Sequence, residues 1–334
     1  MIGFNLHFLD TTNIDLVTSA LLYVQTFAVT KNNNMNIILT GSLGHISKPL
    51  TKILIEKGQS VTVISSKSER QKDIEALGAK AAIGTMQDVE FLTKAFTGAD
   101  IVYLMEAFGA HRFFDQNFNY LDAIDKVANN YKQAVEQSGV KRVVHLSSIG
   151  AHTNKGNGML AFHYNVENIL KELPEDVSIK FMRPVGFYYN MLAFIPTIKK
   201  QEAIIQNYGG DKKEPWVSPL DIAEVIAEEM EKQFSGRHIR YIASDEISPN
   251  DAAKILGEAI GKPDLKWQEI PDDQILKGML AAGMNTEIAK GLVEMNAGRR
   301  NDVLYEDYHK HKPALGKVKL TDFAKEFATV YNSK

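Results

Sequence analysis

Met35-Asn36-Ile37-Ile38-Leu39-Thr40-Gly41-Ser42-Leu43-Gly44-His45-Ile46-Ser47 is the stretch whose reading decides the fold. Ile37 to Leu39 read as a buried strand and Thr40 to Gly44 as a tight turn. A helix follows, with Ile46, Leu50, Ile53 and Leu54 on one face. In a doubly wound sheet this arrangement lets backbone without Cβ atoms approach a pyrophosphate, whose charge meets the free N–H groups of the helix start. The stretch therefore points to a dinucleotide held by Gly41, Ser42, Leu43, Gly44, His45 and Ile46. Gly41-x-x-Gly44-x-x-Ser47 departs from the usual fingerprint, although Ser47 is small enough for close helix–strand packing. Two glycines three apart also describe an ordinary turn, so the surrounding sequence has to decide.

Working outward, Ser60 to Ser65 is β-branched and strand-like, and Ser66-Lys67-Ser68-Glu69-Arg70 follows it. An acidic residue at this strand end would bind the ribose hydroxyls of NAD. Hydroxyls and positive charge (Ser65, Ser66, Lys67, Arg70) suit a 2′-phosphate, so NADP(H) is expected in preference to NAD(H). Ala81 to Gly84, Asp100 to Met105 and Lys141 to Leu146 read as further strands, with helices from Met86 to about Gly98 and from Leu121 to Gln137. Strands alternating with helices imply a parallel sheet with right-handed crossovers, and ligands then sit at the carboxyl ends of the strands. Those ends carry Met105, Glu106 and Ala107, which are expected to flank the nicotinamide, and Ser147 and Ser148, which would bond a substrate oxygen or the nicotinamide amide.

Before this stretch, Ile14 to Val29 is mostly apolar, but it lacks the basic flank of a signal peptide and carries Asp15 and Gln25. Three readings of residues 1–34 remain open: an extra helix, an extension that a native start at Met35 would omit, or a membrane or export segment. The 334 residues are 44% hydrophobic and 24% charged with a net charge of −3, which suits a globular protein and gives no general attraction to nucleic acid. No cysteine is present, so disulfides, thiolate nucleophiles and the common zinc sites are excluded, and redox chemistry requires a bound cofactor. The nine histidines show no metal-binding spacing, so no metal is expected.

Several stretches together resemble the NmrA-like family of atypical short-chain dehydrogenases over essentially all of 35–334. They are Ile37 to Ser47, Asp100 to Leu104, Gly139 to Gly150 (Gly-Val-Lys-Arg-Val-Val-His-Leu-Ser-Ser-Ile-Gly), Phe181 to Asn190 (Phe-Met-Arg-Pro-Val-Gly-Phe-Tyr-Tyr-Asn) and Pro215 to Ala223. The resemblance implies an α/β fold: a doubly wound parallel Rossmann sheet (35–186) with a small mixed α/β C-terminal substrate subdomain, mainly within 187–334, across a cleft. Family members include NADPH-dependent quinone or azo-type reductases and also cofactor sensors. Ordinary short-chain dehydrogenases use a Tyr acid/base with a Lys one helical turn later. Here, aligning Glu167 and Leu170 puts Met159 at the tyrosine position and His163 at the lysine position, and no register restores the pair. His163 then remains to hold the nicotinamide ribose or give a proton. Hydride transfer to a quinone needs little acid/base help, so a reductase is still open.

In the second half, Phe187, Tyr188 and Asn190 follow a sixth strand, Ser178 to Met182, and are expected to form an apolar substrate wall. Ser218-Pro219-Leu220-Asp221 and Ser248-Pro249-Asn250-Asp251 read as helix caps, the first as a capping box. A strand is expected at Arg237 to Ala243, and helices over Asp272 to Asn296 and Thr321 to Tyr331. The expected function is NAD(P)H-dependent hydride transfer to a quinone-like or other conjugated small molecule. The alternative is a redox sensor that binds a regulatory protein partner without turnover. A cytoplasmic monomer or homodimer is expected, without nucleic-acid or membrane partners.

Overall fold

The computed structural model describes residues 34–333. The three readings of the N-terminal segment fall on residues outside those described. From Asn36 the chain alternates strand and helix: β1 (Asn36–Leu39), α1 (Ser47–Glu56), β2 (Ser60–Ser65), α2 (Gln71–Ala76), β3 (Lys80–Ile83), α3 (Val89–Phe96), β4 (Ile101–Leu104), α4 (Tyr120–Ser138), β5 (Arg142–Leu146), α5 (Ala161–Lys171) and β6 (Ser178–Pro184). Then follow β7 (Gly186–Phe187), α6 (Ile195–Gln201), β8 (Ala203–Gln206), β9 (Glu214–Val217), α7 (Pro219–Glu231), β10 (Arg237–Ile242), β11 (Asp245–Ile247), α8 (Pro249–Ala259), β12 (Lys266–Glu269), α9 (Asp272–Ala281), α10 (Thr286–Arg300), α11 (Glu306–Lys310) and α12 (Leu320–Asn332).

A seven-stranded sheet in the order β10-β6-β5-β4-β1-β2-β3 forms the centre. Every neighbouring pair is parallel, with Ile37 opposite Val61 on one side and Ile101 on the other. The order steps from β1 to β2 in one direction and to β4 in the other. The crevice of a doubly wound sheet therefore opens above the carboxyl ends of β1 and β4. One face buries Leu39, Leu50, Leu54, Val63 and Val144 under α1 and α7, and the other buries Val102, Leu104, Tyr131, Val143 and Phe181 under α4 and α5. Strands covered on both faces have to be apolar throughout, as the Ile37-Ile38-Leu39 run is. A three-stranded sheet (β11-β9-β7) and a two-stranded one (β12-β8) accompany α8 and α12 in a separate apolar cluster around Trp216, Trp267 and Phe327.

Part of the segment after residue 186 returns to the central sheet. β10 pairs with β6 along six residues, Arg237 opposite Ile179 through Ile242 opposite Pro184, and α7 packs on α1. The physical reason is edge closure: without β10, β6 would be an unpaired edge strand beside a buried face. Two positions expected on apolar helix faces, Leu121 and Val330, are 40% and 39% exposed, because both lie in terminal turns of their helices.

The first helix cap also differs from expectation. Ser218 accepts the N–H of Leu220 at 3.2 Å, but Asp221 closes no box. Its buried carboxylate accepts the Ser244 hydroxyl and the N–H groups of Lys317 (3.2 Å) and Val318 (3.1 Å), pinning the approach to α12. A buried carboxylate needs such donors, and a second helix-end contact would supply fewer. Asp221→Ala would leave two N–H groups unpaired and is expected to cost on the order of 3 kcal/mol. Urea unfolding would read this as a lower midpoint, and limited proteolysis would find faster cleavage between residues 312 and 319.

Candidate active site

The turn after β1 has the geometry that the glycines were expected to provide. Gly41 has φ +88°, and a Cβ there would lie 2.6 Å from the Met105 sulfur and 2.7 Å from Ser47 Oγ. Ser47 is buried and donates its hydroxyl to the Thr40 carbonyl at 3.1 Å, so it packs where the fingerprint has glycine. Gly44 N–H returns to the Gly41 carbonyl at 3.2 Å, whereas among the described residues no acceptor takes the N–H of Leu43, His45 or Ile46. Those groups stand at the start of α1, whose third residue is Pro49 and needs no N–H partner. Such a cradle fits a pyrophosphate. Ile46 itself is buried in the core, so its side chain holds the helix and only its backbone faces the turn.

At the end of β2, Ser42 donates to Ser65 Oγ at 2.9 Å, and Lys67 N–H bonds the same oxygen at 3.2 Å. Ser66, Lys67 and Arg70 are exposed; Arg70 lies 3.6 Å from Asp73, while Lys67 makes no side-chain bond among the described residues.

A cavity of about 300 Å³ opens above β4 and β5. Met105, Glu106, Ala107 and Phe108 line it from the loop after β4, Ser147 and Ser148 from the loop after β5, Phe162 and His163 from α5, Phe187 from β7, and Tyr189 and Asn190 from the 3-10 helix that follows, with Tyr120, Arg299 and Tyr305 completing the wall. It thus brings together the residues expected at the nicotinamide (Met105, Glu106, Ala107, Ser147, Ser148, His163) and two of the expected wall, Phe187 and Asn190. Tyr188 is the exception among the expected wall: it is fully buried, stacks 5.7 Å from Phe323 and donates to the Val318 carbonyl. The chain leaves β7 at Phe187 and coils into a 3-10 helix over Tyr188–Phe194, which carries Tyr188 inward and leaves Tyr189 and Asn190 on the cavity. Tyr189 also stacks on His45 with ring centroids 4.5 Å apart, joining the glycine turn to the far wall. A larger hollow of about 640 Å³ lies beyond Tyr120, lined by Met159 and Gly291, away from the glycine turn.

Beneath the cavity lies a buried polar network. Ser147 donates to Glu167 at 2.6 Å, and Arg183 grips the same carboxylate with Nε and Nη2, each at 2.8 Å. The other arm of Arg183 reaches Tyr241 at 3.0 Å and Asp307 at 2.9 Å. Burial pushes the Glu167 carboxyl up, but the guanidinium, the Ser147 hydroxyl and Lys171 outweigh it and hold it below its ordinary range. Ser147, expected to contact substrate, therefore spends its proton on Glu167. A second pair sits nearby: His145 Nε2 is 3.0 Å from Glu106 Oε2, with both side chains fully buried. His163, at the lysine position, is half-buried, and desolvation together with the charges of His145 and Arg183 lowers its pKa well below the ordinary value, so it is neutral near pH 7.

Sequence reasoning missed Tyr189, Phe108, Tyr120 and Arg299 as lining, and the Glu167, Arg183 and His145 partnerships. A lone histidine inside the apolar run Val143-Val144-His145-Leu146 was the available signal for the last of these. Among the described residues no cluster could hold a metal ion, and no helix is long and apolar enough to cross a membrane.

A depressed carboxyl pKa contributes stability above the ordinary value of about 4.5, and that stability is lost as pH falls towards the folded-state value. Glu167→Gln is therefore expected to flatten the slope of unfolding free energy against pH below about 4.5, as measured by denaturant titrations at several pH values.

The NmrA-like family profile matches residues 33–319. A full-length relative, the NAD(P)H azoreductase of Xenophilus azovorans, is 20% identical over 300 residues, covering 89% of this chain and 99% of that one. Two other curated relatives match only over 114 and 132 residues, so this chain spans 34% and 40% of their length. Among solved structures, an NADPH-dependent quinone oxidoreductase of Escherichia coli complexed with NADPH superposes with a TM-score of 0.72 at 18% identity, covering 87% of this chain and 99% of that one. The triphenylmethane reductase of a Citrobacter species gives 0.67 at 18%, with 88% and 99% covered. The chain belongs to the NmrA-like family.

Proposed function

We propose that this protein is an NAD(P)H-dependent oxidoreductase that passes hydride to a quinone-like or other conjugated small molecule. The observation that carries the reading is the placement of the glycine cradle, with its free N–H groups, beside a compact aromatic-walled cavity at the ends of β4 and β5. Gly41 to Ile46 would hold the pyrophosphate, with Ser66, Lys67 and Arg70 at the adenosine 2′-phosphate. Met105 to Ala107, Ser148 and His163 would flank the nicotinamide. When bound, the nicotinamide supplies the hydride, and the chain supplies proximity, orientation and exclusion of water. Phe108, Phe187 and Tyr189 give flat apolar surface for a conjugated acceptor. The azo, quinone and dye reductions named for the relatives are transfers to acceptors of this kind and support the reading.

A second reading, a cofactor-responsive regulator of a protein partner, is favoured by one observation. The Tyr-Lys positions hold Met159, which packs on Gly291, and a neutral His163, while Ser147 is committed to Glu167. NADPH fluorescence with a panel of quinones separates the two. Enhancement on binding followed by acceptor-dependent loss is the expected outcome, and enhancement that survives every acceptor would favour the regulator.

Gly41→Ala is expected to abolish the enhancement while leaving the fold intact by circular dichroism, because the new Cβ meets Met105 and Ser47 at a positive φ. Lys67→Asp is expected to lower the NADPH to NADH affinity ratio at least about tenfold, the worth of roughly one charge-assisted bond. An unchanged ratio would remove Lys67 from the 2′-phosphate site.

A further inference from the structure

Beyond Tyr120, the hollow of about 640 Å³ contains none of the residues assigned to the cofactor. It shares the Tyr120 ring with the cavity at the strand ends, and aromatic surface runs on from one to the other. Tyr120 meets Phe108 and Phe162 of the cavity edge-on, with ring centroids 6.1 and 5.7 Å apart, and Phe118 of the hollow at 6.1 Å. The floor is built by close backbone approach. A Cβ on Gly158 would collide with the Gly291 carbonyl, and one on Gly291 would lie 2.9 Å from Met159 Cγ, so the turn before α5 and helix α10 are locked together there. The amides that reach the hollow are already engaged. Asn285 caps α10 and donates to the Asp115 carbonyl at 2.9 Å, Gln116 donates to the Gly283 carbonyl at 3.1 Å, and Asn119 accepts the Asp122 N–H at 3.1 Å to cap α4. The charges, Glu287, Lys290 and Glu294, are exposed. What remains of the lining is apolar: Leu121, Met159, Ala161 and Ile288 beside the two rings. Such a lining offers contact area with few polar groups left to orient a ligand.

Volume separates the duties of the two spaces. At about 300 Å³ the cavity stands at the lower end of the range for ligand sites, and it has to take the nicotinamide as well as the acceptor's reacting ring. A substituent longer than a few atoms has to leave it. Resting on the oxidoreductase reading, we infer that the acceptor carries an uncharged apolar arm, alkyl or aryl, which crosses the edge of Tyr120 and lies in the 640 Å³ hollow. The reacting ring stays against Phe108, Phe187 and Tyr189. Leu121, 40% exposed on the first turn of α4, presents apolar surface that the arm then covers. An anionic arm is disfavoured, because it would meet Lys290 flanked by Glu287 and Glu294, three and four positions away on the same face of α10.

The test compares two quinones with the full-length protein: dimethylbenzoquinone, and the analogue in which a decyl chain replaces one methyl. Their rings are electronically alike, so the arm is read in KM at saturating NADPH. In wild type the decyl quinone is expected to have a KM at least about tenfold lower, the worth of about two buried methylenes. Leu121→Asp puts a charge into the hollow at a helix start that favours one. Asn117→Trp fills the hollow from an exposed position whose side chain makes no bond among the described residues. Each variant is expected to bring the decyl KM to within about twofold of the dimethyl value, and either one alone decides if the other fails to fold. Turnover and KM of dimethylbenzoquinone and the NADPH affinity from fluorescence titration should stay within about twofold of wild type. No decyl advantage in wild type, an advantage that survives both variants, or equal losses with both quinones would overturn the arm subsite and leave the oxidoreductase reading standing. A wild type that binds NADPH and reduces neither quinone would overturn both.

Discussion

The Arg183 guanidinium is the interaction on which the site's architecture depends. At the carboxyl end of β6 it is 3% exposed at its side chain, and it bonds α5 through Glu167, β10 through Tyr241 and α11 through Asp307. A buried cation of this kind is tolerated only because its donors meet matched acceptors, and the bidentate grip on Glu167 fixes the rotation of α5. That rotation decides that His163 faces the cavity, and Glu167 in turn holds Ser147. The chemistry-bearing surface is thus positioned by a charge network that never touches the cavity's contents directly.

Beside this network, the site is assembled from backbone exposure at one end and aromatic surface at the other. The glycine turn contributes N–H groups and the end of a helix, whereas the walls contribute Phe108, Tyr120, Phe187 and Tyr189. The contact between His45 and Tyr189 is where the two meet. Arg299 supports the outer wall in a way that resembles Arg183 below: it is held bidentate by Glu214 at 2.6 and 3.0 Å and lies over the rings of Tyr208 and Trp216. In both places a guanidinium is spent on fixing shape.

Much of this was legible in the sequence because local physics set it. The Ile37-to-Leu39 run, the glycine turn and the period of α1, α4 and α10 depend on neighbours within a few residues, and the strand ends follow once the sheet is parallel. What was not legible depends on distant partners. The swap of Tyr188 for Tyr189 turned on where a two-residue strand leaves the sheet. The use of Asp221 as a tether needed Lys317 and Val318 to arrive from almost a hundred positions away. Ser147 read as a free hydroxyl because Glu167 lies twenty residues on, in another element. Hydrogen-bond partnership between elements has no periodic signature, so pattern reading finds the right residues and misassigns their duties.

The pairing of β10 with β6 has a consequence for how this molecule is related to its own parts. A chain cut after residue 186 would carry the whole cofactor cradle, yet it would expose the ladder edge of β6 and the face of α1 that α7 covers. The second half is therefore no detachable cap that evolution or an engineer exchanges by splicing at one joint. Changing acceptor preference by transplanting a relative's C-terminal half means rebuilding an edge of the sheet, whereas altering the short segment around Phe187 and Tyr189 leaves that edge untouched.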